Sequence, residues 1–448
     1  MPRFVGVYLK KGRAAPLSLE GIYPFLFSDN RFPGVISTDG KTVYGYDEGA
    51  EENSPMSDIG NYKGSVAVSQ ATYNDSRPFV SLRLPGMGRK RAIVSVSGDI
   101  TNTEEFVKEL EGQGPVFPES GSDRYSEECI SYIVTTEGKG SLSRGMENAV
   151  KRLKGYYNAI VAIGEDMVVF RSREGTFPLC YAKSGNDYIF APETVAFGKI
   201  NQMIDSDFMY EADVQPGELI TLSRKGIAKV QVFEPEPSNC IRYMIFYAVE
   251  GSKVFGGQDV SRYRNETGKN LARENTSSWK DIDVLCLNDD SPEAASGFAQ
   301  ISGIRTERII AINPRIAKSH DTTDMDGRMK GMNRKYHVIS ERARGKVGFV
   351  VDSLREGVEA GVKGKILKDA GADNVTLFVA SPPTTRNCKK GRGFDIMGSD
   401  VPEQIKELKS YGIDDIRFLS SEGMKSPLER PADFCTECYS ELFGDTDL

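Results

Sequence analysis

The arrangement of apolar segments changes near residue 233, and this change constrains the fold more than any other feature of the sequence. Residues 1–231 contain short strand-like runs such as RFVGVYL, GSVAVSQ and AIVSVSGDI, with a few helix-period segments between them. From IDVLCLN onward, strand and helix patterns alternate. The first pattern is typical of an α+β or layered sandwich domain, and the second of an α/β domain with a parallel sheet. The sequence therefore predicts two domains, 1–232 and 240–448, joined by the proline-containing segment FEPEPSN.

The second half contains four candidate strands, IDVLCLN, ERIIAIN, KVGFVV and NVTLFVAS. SPEAASGFAQISG is predicted as a helix with Pro292 in its first turn, and a second helix carries Val358, Val362 and Ile366 at every fourth position. Ligands of a parallel sheet bind at the carboxyl ends of its strands, where a turn before a helix can hold a phosphate through backbone N–H groups. We therefore expect a ligand site at VVDSLREGV, residues 350–358.

Composition argues against several classes of function. The 448 residues carry a formal net charge of −7, which is unfavourable for a general nucleic-acid or anionic-membrane surface. No segment approaches the roughly 18 apolar residues of a membrane span, and the N-terminus lacks a secretion pattern, so a cytoplasmic protein is expected. Only two histidines occur, His320 and His337, which leaves little material for Ser-His or Cys-His catalysis.

Cys435 and Cys438 form a Cys-x-x-Cys pair that by itself fits a redox pair, half of a zinc site, half of an iron–sulfur site, or chance. The chain has seven cysteines, an odd number, and they are scattered, which favours reduced thiols or metal ligands over disulfides. Cys240 and Cys388 lie in polar contexts, unlike Cys286 in an apolar strand. The residues alone leave these alternatives open.

Taken in order, these segments resemble the iron–sulfur type of glutamine phosphoribosylpyrophosphate amidotransferase. In the second half the resemblance rests on CIRYMIFYAVEGSKVFGG, RYRNETGKNLA, DDSPEAASGFA, GRMKGMN, VGFVVDSLREGV, NVTLFVASPP and FCTECYSELFG. In the first half it rests on MPRFVGV, SGDITN, FRSREGTFPL, APETVAF and DVQPGELI. It implies an N-terminal class II glutamine amidotransferase domain, an Ntn-type αββα sandwich, followed by a type I phosphoribosyltransferase α/β domain. It also implies that a structural 4Fe–4S cluster is bound by Cys240, Cys388, Cys435 and Cys438, with zinc as the main alternative.

The resemblance also indicates that glutamine hydrolysis is lost. Pro2 stands where the family has its nucleophilic N-terminal cysteine. Ala67 replaces the arginine that binds the glutamine carboxylate, and Ser97 replaces the asparagine that stabilises the oxyanion. SDNRF replaces a further family motif. Cys129 and Cys180 are interpreted as core thiols rather than substitute nucleophiles, because both lie in apolar patterns.

The phosphoribosylpyrophosphate loop is altered as well. Of its two acids only Asp352 remains, beside Val351; Ser353 and Gly357 match, and the two hydroxyl residues are replaced by Val358 and Glu359. A carboxylate 4 Å from a phosphate would cost about 4 kcal/mol per charge pair at a dielectric near 20. We therefore expect an amine-bearing or less phosphorylated ligand, with which Glu359 could pair.

Other parts of the pocket are retained in part. Asp290 and Ser291 match the pyrophosphate loop, and Ser291 and Asp352 are candidate magnesium ligands. Arg328 and Asn333 match the flexible loop, in which Gly331 replaces a lysine. The acids of the nearby HDTTDMD could bind a divalent metal or form a solvated loop.

These observations predict an amidophosphoribosyltransferase-like protein related to de novo purine biosynthesis. It is expected to be a pseudoenzyme for glutamine hydrolysis and a diverged or regulatory paralogue. One alternative is an active ammonia-dependent pentosyltransferase that forms 5-phosphoribosylamine, and another is a structural or interaction protein with an iron–sulfur staple. The expected partner is a small phosphorylated or sugar ligand, in a homo-oligomer that binds neither nucleic acid nor membrane.

Overall fold

A computed structural model describes the greater part of the chain, namely residues 3–26, 32–40, 42–47, 56–72, 80–83, 91–111, 125–204, 207–287, 291–313, 331, 334–354, 357–388, 390 and 401–439. The chain divides into two units. The N-terminal unit consists of residues 1–240 with 252–257 and 390–393, and the C-terminal unit of 241–251, 258–389 and 394–448.

The N-terminal unit contains two antiparallel sheets. Its strands are β1 (Arg3–Tyr8), β2 (Phe32–Thr38), β3 (Val43–Asp47), β4 (Val66–Thr72), β5 (Val80–Arg83), β6 (Arg91–Ile100), β7 (Gly155–Ile163), β8 (Asp166–Arg171), β9 (Cys180–Ser184), β10 (Asp187–Ala191), β11 (Met209–Asp213), β12 (Glu218–Ser223) and β13 (Gly226–Gln231), with the short β14 (Asn239–Cys240) and β15 (Lys253–Val254). One sheet has the order β11-β9-β10-β1-β4-β2-β3, and the other β13-β12-β8-β7-β6-β5. Its helices are α1 (Ala14–Ile22), α2 (Thr103–Glu111), α3 (Tyr125–Glu137), α4 (Leu142–Arg152) and α5 (Val195–Met203).

The alternation of side chains along β6 shows how the layers stack. Ala92, Val94 and Val96 pack into a core with α3 and α4, whereas Ile93 lies in the core between the two sheets. On the outer face of the other sheet, a Cβ at Gly21 of α1 would meet the side chain of Ile200 in α5. The unit is therefore a four-layer αββα sandwich, as the family resemblance implied.

The predicted linker FEPEPSN is packed against the N-terminal unit. The backbone N–H groups of Glu236, Ser238 and Cys240 donate to the carbonyls of Arg173, Glu174 and Thr176, at 2.9, 2.7 and 2.9 Å. Proline and polar composition mark a segment that does not continue a strand or helix, but they do not exclude such a ladder to a neighbouring loop.

The C-terminal unit is built on a parallel sheet. Its elements are β16 (Gln258–Asp259), α6 (Val260–Glu274), α7 (Thr276–Trp279), β17 (Val284–Cys286), α8 (Pro292–Ser302), β18 (Thr306–Glu307), β19 (Ile310–Ile312), β20 (Tyr336–Val338), β21 (Gly345–Val351), α9 (Val358–Asp369), β22 (Ala372–Val379), α10 (Val401–Ser410), β23 (Asp415–Phe418), α11 (Ser421–Lys425) and β24 (Phe434–Cys435). The sheet order is β18-β17-β21-β22-β23, and each neighbouring pair is parallel. Val347, Phe349 and Val351 of β21 pack into one core with residues of α9 and β22.

One predicted strand is divided. ERIIAIN was expected to form a single strand of the parallel sheet, but only Glu307 with the preceding Thr306 pairs with β17. Ile310–Ile312 instead forms a separate antiparallel pair with Tyr336–Val338. An apolar run indicates that a segment is buried, but it does not indicate which strand will pair with it.

Within the described ranges, no helix combines the length and apolar character needed to cross a membrane.

Candidate functional site

The candidate ligand site lies where β21 ends and α9 begins. Val351 is the last residue of β21, and Asp352 and Ser353 follow it directly. Gly357 is the N-cap of α9 in the left-handed conformation, with φ 77°, which suits glycine because it has no Cβ. The turn therefore has the geometry that directs the first backbone N–H groups of α9 toward a ligand.

Ser291 lies at the N-cap of α8, after the adjacent strand β17, and is 2% exposed. Its side chain makes no capping hydrogen bond to α8. Because β17 and β21 are paired in parallel, their carboxyl ends lie at the same edge of the sheet. Ser291 and Asp352 therefore lie at one edge, as predicted. Asp290, Arg328 and Asn333 were also predicted there, but they lie outside the described residues, as do Pro2 and the acids of HDTTDMD.

Glu359, in the first turn of α9, is held by side chains of its own unit. Its Oε1 accepts a hydrogen bond from the Tyr336 hydroxyl and lies 3.3 Å from the ammonium of Lys363, which is 1% exposed. Lys335 in turn donates to the Tyr336 hydroxyl at 3.0 Å. The ammonium groups of Lys335 and Lys363 lie 4.9 and 5.1 Å from the centre of the Tyr336 ring. We call these four residues the Tyr336 cluster.

The cluster changes the expectation for Glu359. The sequence suggested an isolated carboxylate that would repel a phosphate or pair with a ligand amine. In the structure its charge is offset by Lys363, so the estimated repulsion of about 4 kcal/mol is too large. Lys335, Tyr336 and Lys363 were missed because they are separated from the loop in sequence or lie inside α9, and no motif marks them. The i, i+4 spacing of Glu359 and Lys363 was the one available signal.

The cysteine segment lies beside this turn in the C-terminal unit. The pKa of Cys438 is raised to about 11, chiefly by burial; Arg242 acts to lower it, and Cys388 and Cys435 contribute smaller increases. Two other predicted iron–sulfur ligands, Cys388 and Cys435, thus lie close enough to Cys438 to affect its pKa. Tyr439 follows Cys438; burial holds its pKa well above the usual range, and the adjacent Ser353 hydroxyl acts in the opposite direction.

In the described part of the chain, no group of three or more Cys, His, Asp and Glu side chains is spaced to hold a metal ion. The backbone N–H of Thr385 donates to the carbonyl of Cys438 at 2.9 Å, which fixes the Cys-x-x-Cys turn to the segment before Cys388. Cys240 is 5% exposed and belongs to the N-terminal unit. The iron–sulfur assignment remains a prediction.

The positions that match the family's glutamine site lie in the N-terminal unit. Ala67 is fully buried in β4 opposite Val7, and Ser97 is 3% exposed in β6 opposite Asn158. Arg3, which follows Pro2 in the sequence, is 3% exposed. Its guanidinium lies 3.6 Å from the carboxylate of Glu193, whose side chain has no exposed surface. The sequence did not reveal this buried ion pair, because Arg3 and Glu193 are far apart along the chain.

The two cysteines of the N-terminal unit behave as core thiols. Cys129 is fully buried, and Cys180 is 2% exposed. Burial raises the pKa of Cys129 to about 12 and that of Cys180 well above its usual value, so neither forms a thiolate readily at neutral pH. The interpretation made from sequence is confirmed for both.

A cavity of about 570 Å³ opens along α8 at the edge of the C-terminal sheet. Its walls include Pro292, Ser296, Gly303 and Arg308. None of the predicted site residues that the structure describes lines it.

Comparison with known proteins agrees with the fold. A family model described as a glutamine amidotransferase domain matches residues 70–199. An amidophosphoribosyltransferase of Bacillus subtilis is 25% identical over 97% of this chain and 93% of its own length. The corresponding protein of Methanothermobacter thermautotrophicus is 28% identical over 86% of this chain and 80% of its own length.

Among solved structures, glutamine phosphoribosylpyrophosphate amidotransferase of B. subtilis, complexed with ADP and GMP, superposes with a TM-score of 0.83 at 23% identity. It covers 100% of this chain and 99% of that one. The structural likeness establishes the fold of both domains, and the sequence similarity extends along most of the chain. Together they show that the protein is a divergent homologue of the amidophosphoribosyltransferases.

Proposed function

We propose that this homologue does not hydrolyse glutamine, and that its C-terminal unit binds a sugar ligand that is less phosphorylated than phosphoribosylpyrophosphate. In this role it is a diverged or regulatory paralogue in the cytoplasm, assembled as a homo-oligomer. The observation that carries the proposal is the position of Glu359 at the start of α9. Its carboxylate accepts a hydrogen bond from the Tyr336 hydroxyl and forms an ion pair with the ammonium of Lys363.

The turn between β21 and α9 has features that favour the binding of a ligand. Gly357 retains the left-handed conformation, and Asp352 and Ser291 provide oxygen atoms at the same edge of the sheet. Oxygen ligands of this kind suit Mg²⁺, so Ser291 and Asp352 are the residues that would hold it, together with water and ligand oxygens. Two features oppose binding of a 5′-phosphate. Val358 and Glu359 replace the two hydroxyl residues of the family loop, and Glu359 accepts the hydrogen bond of the nearby Tyr336 hydroxyl.

Loss of glutamine hydrolysis is supported by residue chemistry. A proline at position 2 offers no thiol, and the buried Ala67 offers no charge for a substrate carboxylate. Removing one oxyanion donor costs roughly 3 to 4 kcal/mol of barrier, and loss of the nucleophile removes the mechanism. The buried Cys129 and Cys180 cannot take over that role, because their raised pKa values keep them protonated.

We further propose that Cys388, Cys435 and Cys438, with Cys240, bind a 4Fe–4S cluster that stabilises the fold. The influence of Cys388 and Cys435 on the pKa of Cys438 supports this assignment. Binding would require the Cys438 thiol, with its raised pKa of about 11, to lose its proton to the solvent as the metal–sulfur bond forms.

An ammonia-dependent transferase that forms 5-phosphoribosylamine is the second candidate, and the retained Asp352 and Ser291 favour it. Calorimetry separates the two. We expect no binding of phosphoribosylpyrophosphate with Mg²⁺ in the micromolar range. Micromolar binding would refute the proposed ligand class and support the transferase.

A further inference from the structure

The Tyr336 cluster places two buried lysines around one aromatic ring. Lys335 and Lys363 are 8% and 1% exposed, and Tyr336 is 3% exposed. An ammonium that is removed from water costs free energy unless an anion or hydrogen-bond acceptors replace the solvent. Two such groups near one hydroxyl are therefore a donor set for an anion.

In this structure the chain itself supplies an anion. Lys335 donates to the Tyr336 hydroxyl, which in turn donates to Glu359, and Lys363 approaches the same Glu359 oxygen. The carboxylate lies in the first turn of α9, directly after the left-handed Gly357. A carboxylate and a phosphate monoester use the same kinds of donor, so they compete for this set.

Glu359 remains partly accessible. Its side chain is 37% exposed, whereas that of Lys363 is 1% exposed. A ligand at the turn can therefore approach the carboxylate, but it reaches Lys363 only by displacing or neutralising Glu359. The ligand group nearest the turn is thus selected by charge.

We propose that Glu359 determines the ligand class by occupying the donors of the Tyr336 cluster as an internal anion. The turn accepts a ligand whose nearest group is uncharged, such as a sugar hydroxyl, and removal of the Glu359 charge converts it to a site for a phosphate monoester. This inference rests on the proposed function in that it places the ligand at the same turn.

The test compares ribose 5-phosphate with ribose by calorimetry on the full chain. Glu359→Gln keeps the size of the side chain and removes its charge. We expect it to bind ribose 5-phosphate at least about tenfold more tightly than the unaltered protein does, and to prefer ribose 5-phosphate over ribose by a larger margin. Glu403→Gln, an exposed change of the same charge in α10, is the matched control and should show no gain.

A double variant, Glu359→Gln with Lys363→Met, assigns the gain to the cluster. We expect it to lose the added affinity for ribose 5-phosphate. A gain that persists in the double variant, or a Glu359→Gln protein that folds normally by circular dichroism and binds ribose 5-phosphate no more tightly, would overturn the inference.

The outcomes also separate this inference from the proposed function. If the unaltered protein binds phosphoribosylpyrophosphate at micromolar concentration and Glu359→Gln still gains affinity for ribose 5-phosphate, the proposed ligand class fails, and only the competition of Glu359 with a phosphate for the donors of the Tyr336 cluster stands. If the unaltered protein binds ribose and Glu359→Gln gains nothing, the role of Glu359 fails and the proposed ligand class stands.

Discussion

Glu359 and Lys363 form an asymmetric ion pair, and the two partners should respond differently to substitution. At 3.3 Å and a dielectric near 20, the attraction is about 5 kcal/mol. Because the Glu359 side chain is 37% exposed, solvent screens part of this attraction, and we expect a net effect of about 2 kcal/mol. Glu359→Gln should lose this amount, because Lys363 remains buried without the carboxylate.

Lys363→Met should cost less than about 1 kcal/mol, because it removes the ammonium whose burial was costly and keeps a flexible chain of similar volume. Glu359 retains the Tyr336 hydroxyl and its contact with water in that variant. The prediction is therefore an order of stability: Lys363→Met is close to the unaltered protein, and Glu359→Gln lies clearly below both.

Urea unfolding followed by tryptophan fluorescence measures the stability of the C-terminal unit and therefore the order of stability of these variants. The chain has a single tryptophan, Trp279, in α7 of the C-terminal unit, and its indole N–H donates to the carbonyl of Ala272 at 2.8 Å. Glu403→Gln controls for the change in net charge. If Lys363→Met lowers the unfolding midpoint as much as Glu359→Gln does, the ion pair is not asymmetric and the reasoning is wrong.

Three further predictions concern other parts of the molecule. Arg171→Met should destabilise the N-terminal unit by about 4 kcal/mol in urea unfolding, because the buried guanidinium donates to three main-chain carbonyls and lies 3.9 Å from Asp213; Arg171→Lys should recover only part. The raised pKa of Cys129, about 12, means that its contribution to stability is complete below pH 9 and is lost as the pH rises toward 12. The stability advantage of the unaltered protein over Cys129→Ala should therefore shrink from about pH 8 to about pH 11, and a constant difference would contradict this. Cys435→Ser should lose iron and acid-labile sulfide from anaerobically purified protein while Cys129→Ala retains both, and stoichiometric zinc in place of iron would refute the cluster.

The sequence was informative where a local pattern is directly tied to geometry. The period-two runs in β6 and the apolar run in β21 predicted the sandwich and the parallel sheet, because burial on one or two faces determines such patterns. The turn was located because Gly357 and the apolar strand before it are local features. Within the described residues these elements lie where they were expected.

Contacts between distant segments could not be read in the same way. Arg3 and Glu193, or Tyr336 and Glu359, become neighbours only through the fold, and nothing in their local sequence records it. For Glu359 this changed the chemical interpretation from an exposed charge to a carboxylate bound by Tyr336 and Lys363. The division of ERIIAIN has the same origin, since partner strands are chosen by tertiary structure.

The most direct test of the account is an anaerobic assay of 5-phosphoribosylamine formation from phosphoribosylpyrophosphate and Mg²⁺, with glutamine or with ammonia as nitrogen source. No product above background is expected with glutamine, because no thiol nucleophile is available at position 2, and none with ammonia, because Glu359 occupies the donors at the turn. Glutamine-dependent product would contradict the central claim, and ammonia-dependent product alone would establish the transferase alternative.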